Sequence, residues 1–208
     1  MKITVLGTRG LAAAVIKHGL ALGHSITALS RRSGPLPFQG ENFSAFTGDA
    51  VSPDDLEAAS KGADIIVSAI GIPPSGNKTT LFSSSAEAAI SAVKKNNIKL
   101  FIMATGIGAG NSYGHGGIFY DRIIFPLFMK EIYADKNRAE AVLFKSDINW
   151  IIVRPGFLTD GRLTEKYRVL TGLDGIKCGR ISRADAAHFI LTQAASRTYV
   201  KQTPLITY

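Results

Sequence analysis

Short runs of apolar and β-branched residues alternate along the chain with longer segments in which apolar residues recur every three or four positions. The first run, 1–7, ends at a glycine, and an apolar-periodic segment to about Leu22 and a second run at 25–29 follow it. Runs of this kind predict strands, whereas the helical period predicts a helix. The opening residues are therefore predicted to form a strand, a glycine turn, a helix and a second strand.

The same alternation continues to the end of the chain. Further strands are predicted at 42–47, 63–70, 99–104, 150–154, 167–170 and 204–208. Further helices are predicted at 52–60, 79–96, 131–144 and 182–195, with a helical stretch interrupted near Pro126 before the third. Ser52 and Pro53, followed by two acids, are typical of a helix start. We therefore predict an α/β fold: one doubly wound, Rossmann-type domain over 1–208, with a parallel sheet and helices on both faces.

Composition limits the class of protein. Of 208 residues, 46% are hydrophobic and 19% charged, which is typical of a globular chain. The single cysteine, Cys178, excludes an internal disulfide and indicates a reducing compartment. The sequence contains no cluster of cysteines and histidines that would indicate a metal site. No apolar run is long enough for a membrane span, so we expect a soluble cytoplasmic protein, as a monomer or a homodimer.

A net charge of +8 raises the question of a nucleic-acid partner. The basic residues are spread along the chain, in pairs at most, without a basic stripe or an aromatic RNA-binding motif. Nucleic-acid binding is therefore not expected, and an anionic cofactor or substrate accounts for part of the charge.

The glycine turn has the pattern G-x-x-G-x-x-A, from Gly7 through Gly10 to Ala13. Glycines between a strand and a helix allow a sharp turn and a close approach of the backbone to a pyrophosphate, and the helix N-terminus favours its charge. Alanine can occupy the third position, where close packing is the requirement. The turn therefore predicts a dinucleotide site.

The tip of the second strand indicates which dinucleotide. An NAD site usually has an acid there to bind the ribose hydroxyls, but this chain has Ser30, Arg31 and Arg32, with no acid until Glu41. Guanidinium groups pair well with a 2′-phosphate, and Arg9 in the turn is within reach of it. The prediction is NADP(H), and the alternative is that Arg31 and Arg32 belong to a solvated loop.

Ligands of doubly wound sheets bind at the carboxyl ends of the strands, which here are distant in sequence. The residues predicted to contact the cofactor all lie at these ends: Gly7, Thr8, Arg9, Gly10, Leu11, Arg31, Arg32, Asp49, Ala50, Ala69, Ile70, Gly71, Thr105, Pro155, Gly156 and Phe157. Asp49 would lie near the adenine amino group, or would cap the turn before Val51. Thr105 would meet the substrate or nicotinamide, or would cap its own strand end.

Three further residues are candidates for acid–base chemistry. Lys136 could bind the nicotinamide ribose and lower the pKa of a neighbouring donor, with Tyr133 one helical turn before it. Lys136 could equally be solvated and pair with Glu140. His115, between glycines, is a candidate mobile proton donor.

Aromatic residues cluster around the glycine-rich loop 105–117 and the helical stretch after it: Tyr113, Phe119, Tyr120, Phe125 and Phe128. Core packing or a dimer face would explain them. The sharper interpretation is an aromatic-walled pocket for a flat substrate.

Several motifs together resemble a known family. They are G-T-R-G at 7–10, L-S-R at 29–31, G-D at 48–49, S-A-I-G at 68–71, Y-A-D-K-N-R-A-E at 133–140, V-R-P-G-F-L-T-D at 153–160 and I-S-R-A-D at 181–185 with H-F at 188–189. In their order and spacing the chain resembles small atypical short-chain dehydrogenases/reductases of the NAD(P)H-binding, NmrA-like type, and is most similar to the flavin reductase/biliverdin reductase B branch.

The resemblance implies NADPH as hydride donor and a planar conjugated acceptor such as FMN, FAD or a quinone. It carries over as cofactor contacts Gly7, Thr8, Gly10, Leu11, Arg31, Asp49, Gly71 and the Pro155-Gly156 segment. Two positions depart from the pattern. Ile132 occupies the position of the usual tyrosine four residues before Lys136, and Phe157 stands where bilin-reducing relatives have a histidine.

The favoured hypothesis is an NADPH-dependent, flavin reductase-like enzyme that relies on positioning more than on acid–base groups. The alternative is a non-catalytic NADP(H) sensor acting through a protein partner, which the incomplete tyrosine–lysine pair allows. A nucleotide-sugar epimerase or dehydratase is disfavoured by the missing tyrosine and by the short C-terminal part.

Overall fold

The computed structural model describes residues 1–118 and 120–208, which contain ten strands and five α-helices. The strands are β1 Lys2–Leu6, β2 Ser25–Ser30, β3 Phe43–Thr47, β4 Ile65–Ser68, β5 Leu100–Ala104, β6 Trp150–Pro155, β7 Phe157–Thr159, β8 Arg168–Leu170, β9 Arg180–Ser182 and β10 Leu205–Thr207. The helices are α1 Leu11–Ala21, α2 Pro53–Ala59, α3 Leu81–Lys95, α4 Lys130–Lys145 and α5 Arg183–Ser196.

Eight strands form one sheet in the order β3-β2-β1-β4-β5-β6-β10-β8. All neighbouring pairs are parallel except β10 and β8, so the predicted doubly wound α/β fold is confirmed with an antiparallel strand at one edge. The chain leaves β1 in one direction to reach β2 and β3, and returns to the other side of β1 to form β4. This reversal between β1 and β4 is the point where such sheets bind ligands.

One prediction about the connections was wrong. No strand was predicted between 154 and 167, but 157–159 form β7, which pairs in parallel with β9 outside the main sheet. A Cβ atom on Gly156 would lie 2.5 Å from the carbonyl oxygen of Gly179. The glycine therefore lets the end of β6 pack directly against the segment that leads into β9.

Helices cover both faces of the sheet. α1 packs against α5 on one face, and α3 packs against α2 and α4 on the other. Side chains of one strand alternate between the two cores: Ile3 and Val5 of β1 join the α1/α5 side, and Leu6 joins the α3 side. Burial on both faces explains why the central strands are continuous apolar runs.

The helical stretch before α4 has an unusual geometry. Residues Tyr120–Met129 form a π-helix that contains Pro126, and the α-helical bonding of α4 begins at Lys130. The change of helix type therefore lies a few residues after the predicted interruption. Within the described ranges, no helix is both long enough and apolar enough to cross a membrane.

The starts of α2 and α3 are each capped by a side chain, and the cap of α3 comes from another helix. The hydroxyl of Ser52 accepts the Asp55 N–H at 3.2 Å, as predicted for α2. At the start of α3, the carboxylate of Asp135 from α4 accepts the Phe82 N–H at 2.7 Å and the Ser83 hydroxyl at 2.5 Å. This carboxylate satisfies an N–H group that a local cap would otherwise bind, and so ties α3 to α4.

Candidate functional site

The glycine turn between β1 and α1 has a backbone that side chains rarely allow. Gly7 and Gly10 have φ values of +98° and +55°. A Cβ atom on Gly7 would lie 3.3 Å from Cβ of Ala12 and 3.6 Å from the carbonyl oxygen of Ala69. In the described structure no side chain caps the start of α1, and its first turn contains no acid. The first N–H groups of α1 and its positive dipole end are thus available to an anion.

A groove of about 280 Å³ opens beside this turn, along the carboxyl ends of β1 to β4. It brings together most of the predicted cofactor residues: Gly7, Thr8, Arg9, Arg31, Arg32, Asp49, Ala50, Ala69, Ile70 and Gly71. It is also lined by five residues that were not predicted as contacts: Leu29, Ser30, Gly48, Ile72 and Leu81. Three of these adjoin predicted positions and Leu29 lies two residues before Arg31, whereas Leu81, the first residue of α3, reaches the groove through the packing of the helix.

The groove is basic on the side of β2. The side chains of Arg9, Arg31 and Arg32 line it, and their guanidinium groups make no hydrogen bond or ion pair with any residue in the described part of the chain. They are therefore available to an anionic ligand, as the prediction of a 2′-phosphate site requires.

Asp49 is engaged in the turn that leads to α2. Its Oδ1 accepts the Val51 N–H at 3.2 Å, and its own N–H donates to Oδ2 of Asp55 at 2.8 Å. The capping role left open by the sequence is thus present, while the residue also lines the groove.

The remaining predicted residues lie elsewhere along the same edge. Gly10 and Leu11 form the start of α1, and Leu11 is buried. Thr105 and the segment 155–157 lie at the neighbouring ends of β5 and β6, where the Ile107 N–H donates to the Pro155 carbonyl at 3.0 Å.

Thr105 directs its side chain into the protein. The residue is 4% exposed, and its hydroxyl donates to Oε1 of Glu140 at 2.8 Å. Its carbonyl oxygen accepts a hydrogen bond from Nζ of Lys136. In this structure the Thr105 hydroxyl is thus bonded to Glu140 and the Thr105 backbone anchors Lys136.

Lys136 is partly buried and lies beside the aromatic rings of Tyr133 and Phe82, with Nζ 4.5 and 5.2 Å from their centroids. Burial lowers the pKa of its ammonium group to about 8, although the charge of Glu140 acts in the opposite direction. The alternative of a solvated Lys136–Glu140 pair differs from the structure, in which Glu140 is hydrogen-bonded to Arg154 and Thr105.

Tyr133 is buried behind the loop that follows β5. A Cβ atom on Gly106 would lie 2.9 Å from the Tyr133 hydroxyl and 3.8 Å from Nζ of Lys136. Burial and the nearby Tyr120 hold the pKa of the Tyr133 hydroxyl well above its usual range. Tyr133 is therefore protonated at neutral pH and is unsuited to act there as a base.

A shallow apolar cavity of about 350 Å³, largely open to solvent, lies next to this loop. It is lined by Gly116, Gly117, Ile118, Tyr120, Ile124 and Phe157. The rings of Tyr120 and Phe157 meet edge to face, with centroids 4.7 Å apart. Phe157, at the start of β7, is therefore both the residue in the predicted histidine position and a wall of this cavity.

The other predicted aromatic residues differ in packing and exposure. Phe125 packs against Tyr113, Tyr120 and Tyr133, with ring centroids 4.9, 6.0 and 5.1 Å away. Phe128 is half exposed, and Phe119 lies outside the described residues.

His115 is tied to the opposite side of the loop. Its Nδ1 lies 2.8 Å from the carbonyl oxygen of Ile176, and its own carbonyl oxygen accepts the Cys178 N–H at 2.9 Å. In this structure both contacts hold His115 against the segment 176–178.

Known proteins have a similar sequence or a similar architecture. A family model described as NAD(P)H-binding matches residues 7–197. A Bacillus subtilis (strain 168) protein named uncharacterized sugar epimerase YhfK is 30% identical over 177 residues, which are 81% of this chain and 75% of that protein.

Solved structures match over the whole chain. The anaerobilin reductase ChuY from Escherichia coli O157:H7 superposes with a TM-score of 0.80 at 22% identity, covering 100% of this chain and 97% of ChuY. A wide-type short-chain dehydrogenase/reductase from Veillonella parvula DSM 2008, solved in complex with NADP, superposes with a TM-score of 0.80 at 17% identity, covering 100% and 94%. At these identities the structures establish the fold.

The glycine turn, the groove at the strand reversal and the match over 7–197 agree with one another. The predicted nicotinamide cofactor and the predicted family are thereby confirmed, and reductases and epimerases are the kinds of protein found among the relatives. This chain belongs to the NAD(P)H-binding family whose model matches residues 7–197, and it has a Rossmann-type fold.

Proposed function

We propose that the protein is an NADPH-dependent reductase that transfers hydride to a flavin or another planar conjugated acceptor such as a quinone. The observation that carries the proposal is the aromatic-walled cavity of Tyr120 and Phe157 beside the ends of β5 and β6. Aromatic walls favour flat conjugated ligands, which stack on them or meet them edge-on. The ChuY structure, described as a reductase of anaerobilin, is compatible with such an acceptor.

The choice of NADPH over NADH rests on the basic side of the groove. Arg31 and Arg32 follow β2, where the adenosine ribose of a dinucleotide would lie. Their guanidinium groups and that of Arg9 can bind a 2′-phosphate, whereas ribose hydroxyls would call for an acid there.

The residues of the chain would bind the cofactor and orient the acceptor. When bound, NADPH supplies the hydride. The glycine turn would hold the pyrophosphate, Lys136 would bind the nicotinamide ribose, and Tyr120 and Phe157 would orient the acceptor. Because the Thr105 hydroxyl and the Tyr133 hydroxyl are both buried, the acceptor would take its proton from water.

An acceptor screen tests the proposal. Purified protein is mixed with NADPH and, in turn, FMN, FAD, quinones and redox dyes, and the absorbance at 340 nm is followed. We expect NADPH oxidation with at least one planar acceptor, at a rate proportional to the enzyme concentration. NADPH binding without oxidation by any of them would refute the reductase and favour the non-catalytic sensor, which predicts pull-down of a protein partner that depends on the cofactor.

A sugar epimerase is the second candidate, because the Bacillus subtilis relative has that name. The residue four positions before Lys136, usually tyrosine in such enzymes, is the buried Ile132. Incubation with UDP-glucose and UDP-galactose, followed by chromatography of the sugars, separates the two candidates. Interconversion of the sugars without net NADPH oxidation would replace the reductase proposal.

A further inference from the structure

Arg183 lies beside the glycine turn, although it is distant from the turn in sequence. It is the first residue of α5, and α5 packs against α1. A Cβ atom on Gly10 would lie 3.8 Å from Nε of Arg183. The Arg183 guanidinium group is therefore next to the N-terminus of α1, where the turn would hold a pyrophosphate.

The present partner of Arg183 is easily exchanged. Nη1 of Arg183 lies 2.5 Å from Oδ1 of Asp160, whose side chain is 92% exposed, while the side chain of Arg183 is 30% exposed. An ion pair with so exposed a carboxylate contributes little to stability, because water solvates the carboxylate well. A doubly charged ligand at the neighbouring turn would compete effectively for the guanidinium group.

We propose that Arg183 binds the pyrophosphate of the dinucleotide and exchanges the Asp160 carboxylate for phosphate oxygens. Arginine presents a planar set of donors that can bind phosphate oxygens in pairs. Together with the N–H groups at the start of α1, it would hold the pyrophosphate from two helices. The inference rests on the dinucleotide-binding part of the proposed function and is independent of the acceptor.

The surroundings of Arg183 are built to keep it in place when its partner changes. Its neighbour Ser182 caps α5 by accepting the Asp185 N–H at 2.9 Å. The Asp185 carboxylate in turn accepts the N–H groups of Thr164 and Glu165 at 2.9 and 2.7 Å. The start of α5 and the segment around 164–165 would therefore stay in place when the Asp160 contact is lost.

Isothermal titration of wild-type protein and the Arg183→Ala variant with NADPH and NADH tests the proposal. Because both dinucleotides contain the pyrophosphate, we expect both dissociation constants to rise by the same factor, about ten- to a hundredfold. Adenosine 2′-monophosphate lacks the pyrophosphate, so its affinity should not change. Arg183→Lys, which keeps the charge without the paired donors, should restore part of the affinity.

Two controls separate this role from others. Arg31→Ala should weaken NADPH and adenosine 2′-monophosphate but spare NADH, which is the opposite selectivity. Lys17→Ala, an exposed cation in the middle of α1, should change none of the affinities if net charge is not responsible. The melting temperature of each variant without ligand verifies the fold.

Asp160→Asn supplies a test in the opposite direction. Removal of the competing carboxylate should tighten binding of both dinucleotides by about two- to tenfold. Unchanged affinities in Arg183→Ala, or a loss confined to NADPH, would overturn the proposal. Failure of the wild-type protein to bind either dinucleotide would overturn it together with the proposed function, whereas binding without reduction of any acceptor would overturn the reductase alone.

Discussion

The guanidinium group of Arg154 donates two hydrogen bonds to the carboxylate of Glu140, from Nε to Oε1 at 3.1 Å and from Nη2 to Oε2 at 2.5 Å, and both side chains are almost completely buried. This pair links the end of β6 to α4. The Thr105 hydroxyl joins Glu140, and Asn111 accepts from Arg154, so the loop after β5 is bound to the same pair. Two strand ends and a helix at the site thus depend on one buried ion pair.

Arg154→Ala should destabilise the protein strongly, because it leaves the Glu140 carboxylate buried without its cation. We expect a loss of about 3–5 kcal/mol in the free energy of unfolding, measured by urea denaturation. Lys95→Ala, which breaks the exposed ion pair with Glu57, should leave the stability nearly unchanged. Similar losses in the two variants would contradict the importance of the buried pair.

Arg31→Ala should reduce the preference for NADPH over NADH. In a thermal-shift titration NADPH should raise the melting temperature of the wild-type protein more than NADH does, because the 2′-phosphate adds charge-assisted hydrogen bonds. The variant should show a smaller difference between the two. Equal stabilisation of the wild-type protein by NADPH and NADH would contradict a 2′-phosphate site at this arginine.

Lys136 should make the reaction sensitive to mildly alkaline pH. Its pKa is lowered from 10.5 to about 8, so the ammonium form is present below pH 8 and is lost above it. If the charged form binds the ribose, kcat/KM should fall as the pH rises through about 8. Lys136→Met should be slow at every pH without this fall, and Lys136→Arg should stay charged and show a flat profile. A wild-type profile without a change near pH 8 would argue against the role.

Phe157→Ala should weaken binding of the acceptor, because it removes a wall of the aromatic cavity. We expect KM for the acceptor to rise about tenfold, with the Kd for NADPH unchanged. Phe144→Ala is a matched control, because Phe144 is 53% exposed and packs against Trp150, away from the cavity. An equal KM for wild-type and Phe157→Ala proteins would show that the acceptor binds elsewhere.

Asp185 should contribute stability that acid removes. Burial raises the pKa of its carboxyl, but hydrogen bonds from Tyr208, Thr164 and Glu165 outweigh burial and lower it from 3.8 to about 2. Because the pKa in the folded state is below that in the unfolded state, about 2 kcal/mol is present above pH 4 and lost as the pH falls towards 2.

Urea unfolding at pH 7, 4 and 2.5 measures this contribution. Asp185→Asn should be less stable than the wild-type protein at pH 7, and the difference should shrink towards pH 2. The exposed Asp174→Asn should follow the wild-type curve. A difference between wild-type and Asp185→Asn that stays constant with pH would contradict the assignment.

The fold was largely predictable because its signals are local. Ser52 and Pro53 mark the start of α2, and continuous apolar residues such as 65–68 mark a strand covered on both faces. β7 and β9 were missed because each has three residues and their pairing joins segments about twenty positions apart. Neither the hydrophobic periodicity of the sequence nor its turn residues indicate such a pairing.

The groove was predictable for a related reason, whereas the contacts behind it were not. Strand ends meet at one edge of any doubly wound sheet, so Gly7, Arg31 and Gly71 could be placed together. Glu140 was considered as a partner of Lys136 on the same helix, but it pairs with Arg154 from β6. The position of Arg183 beside Gly10 depends on how α1 and α5 pack, for which the sequence contains no local signal.

Because the Phe82 N–H of α3 donates to the Asp135 carboxylate, its hydrogen exchange reports on the contact of α3 with α4. The hydrogen bond of this amide crosses from α3 to α4, so its proton can exchange with solvent when the two helices separate. Leu81, the residue before Phe82, lines the dinucleotide groove. The groove and the contact between α3 and α4 thus meet at the first two residues of α3, and a bound dinucleotide that packs on Leu81 should slow hydrogen exchange of the Phe82 amide.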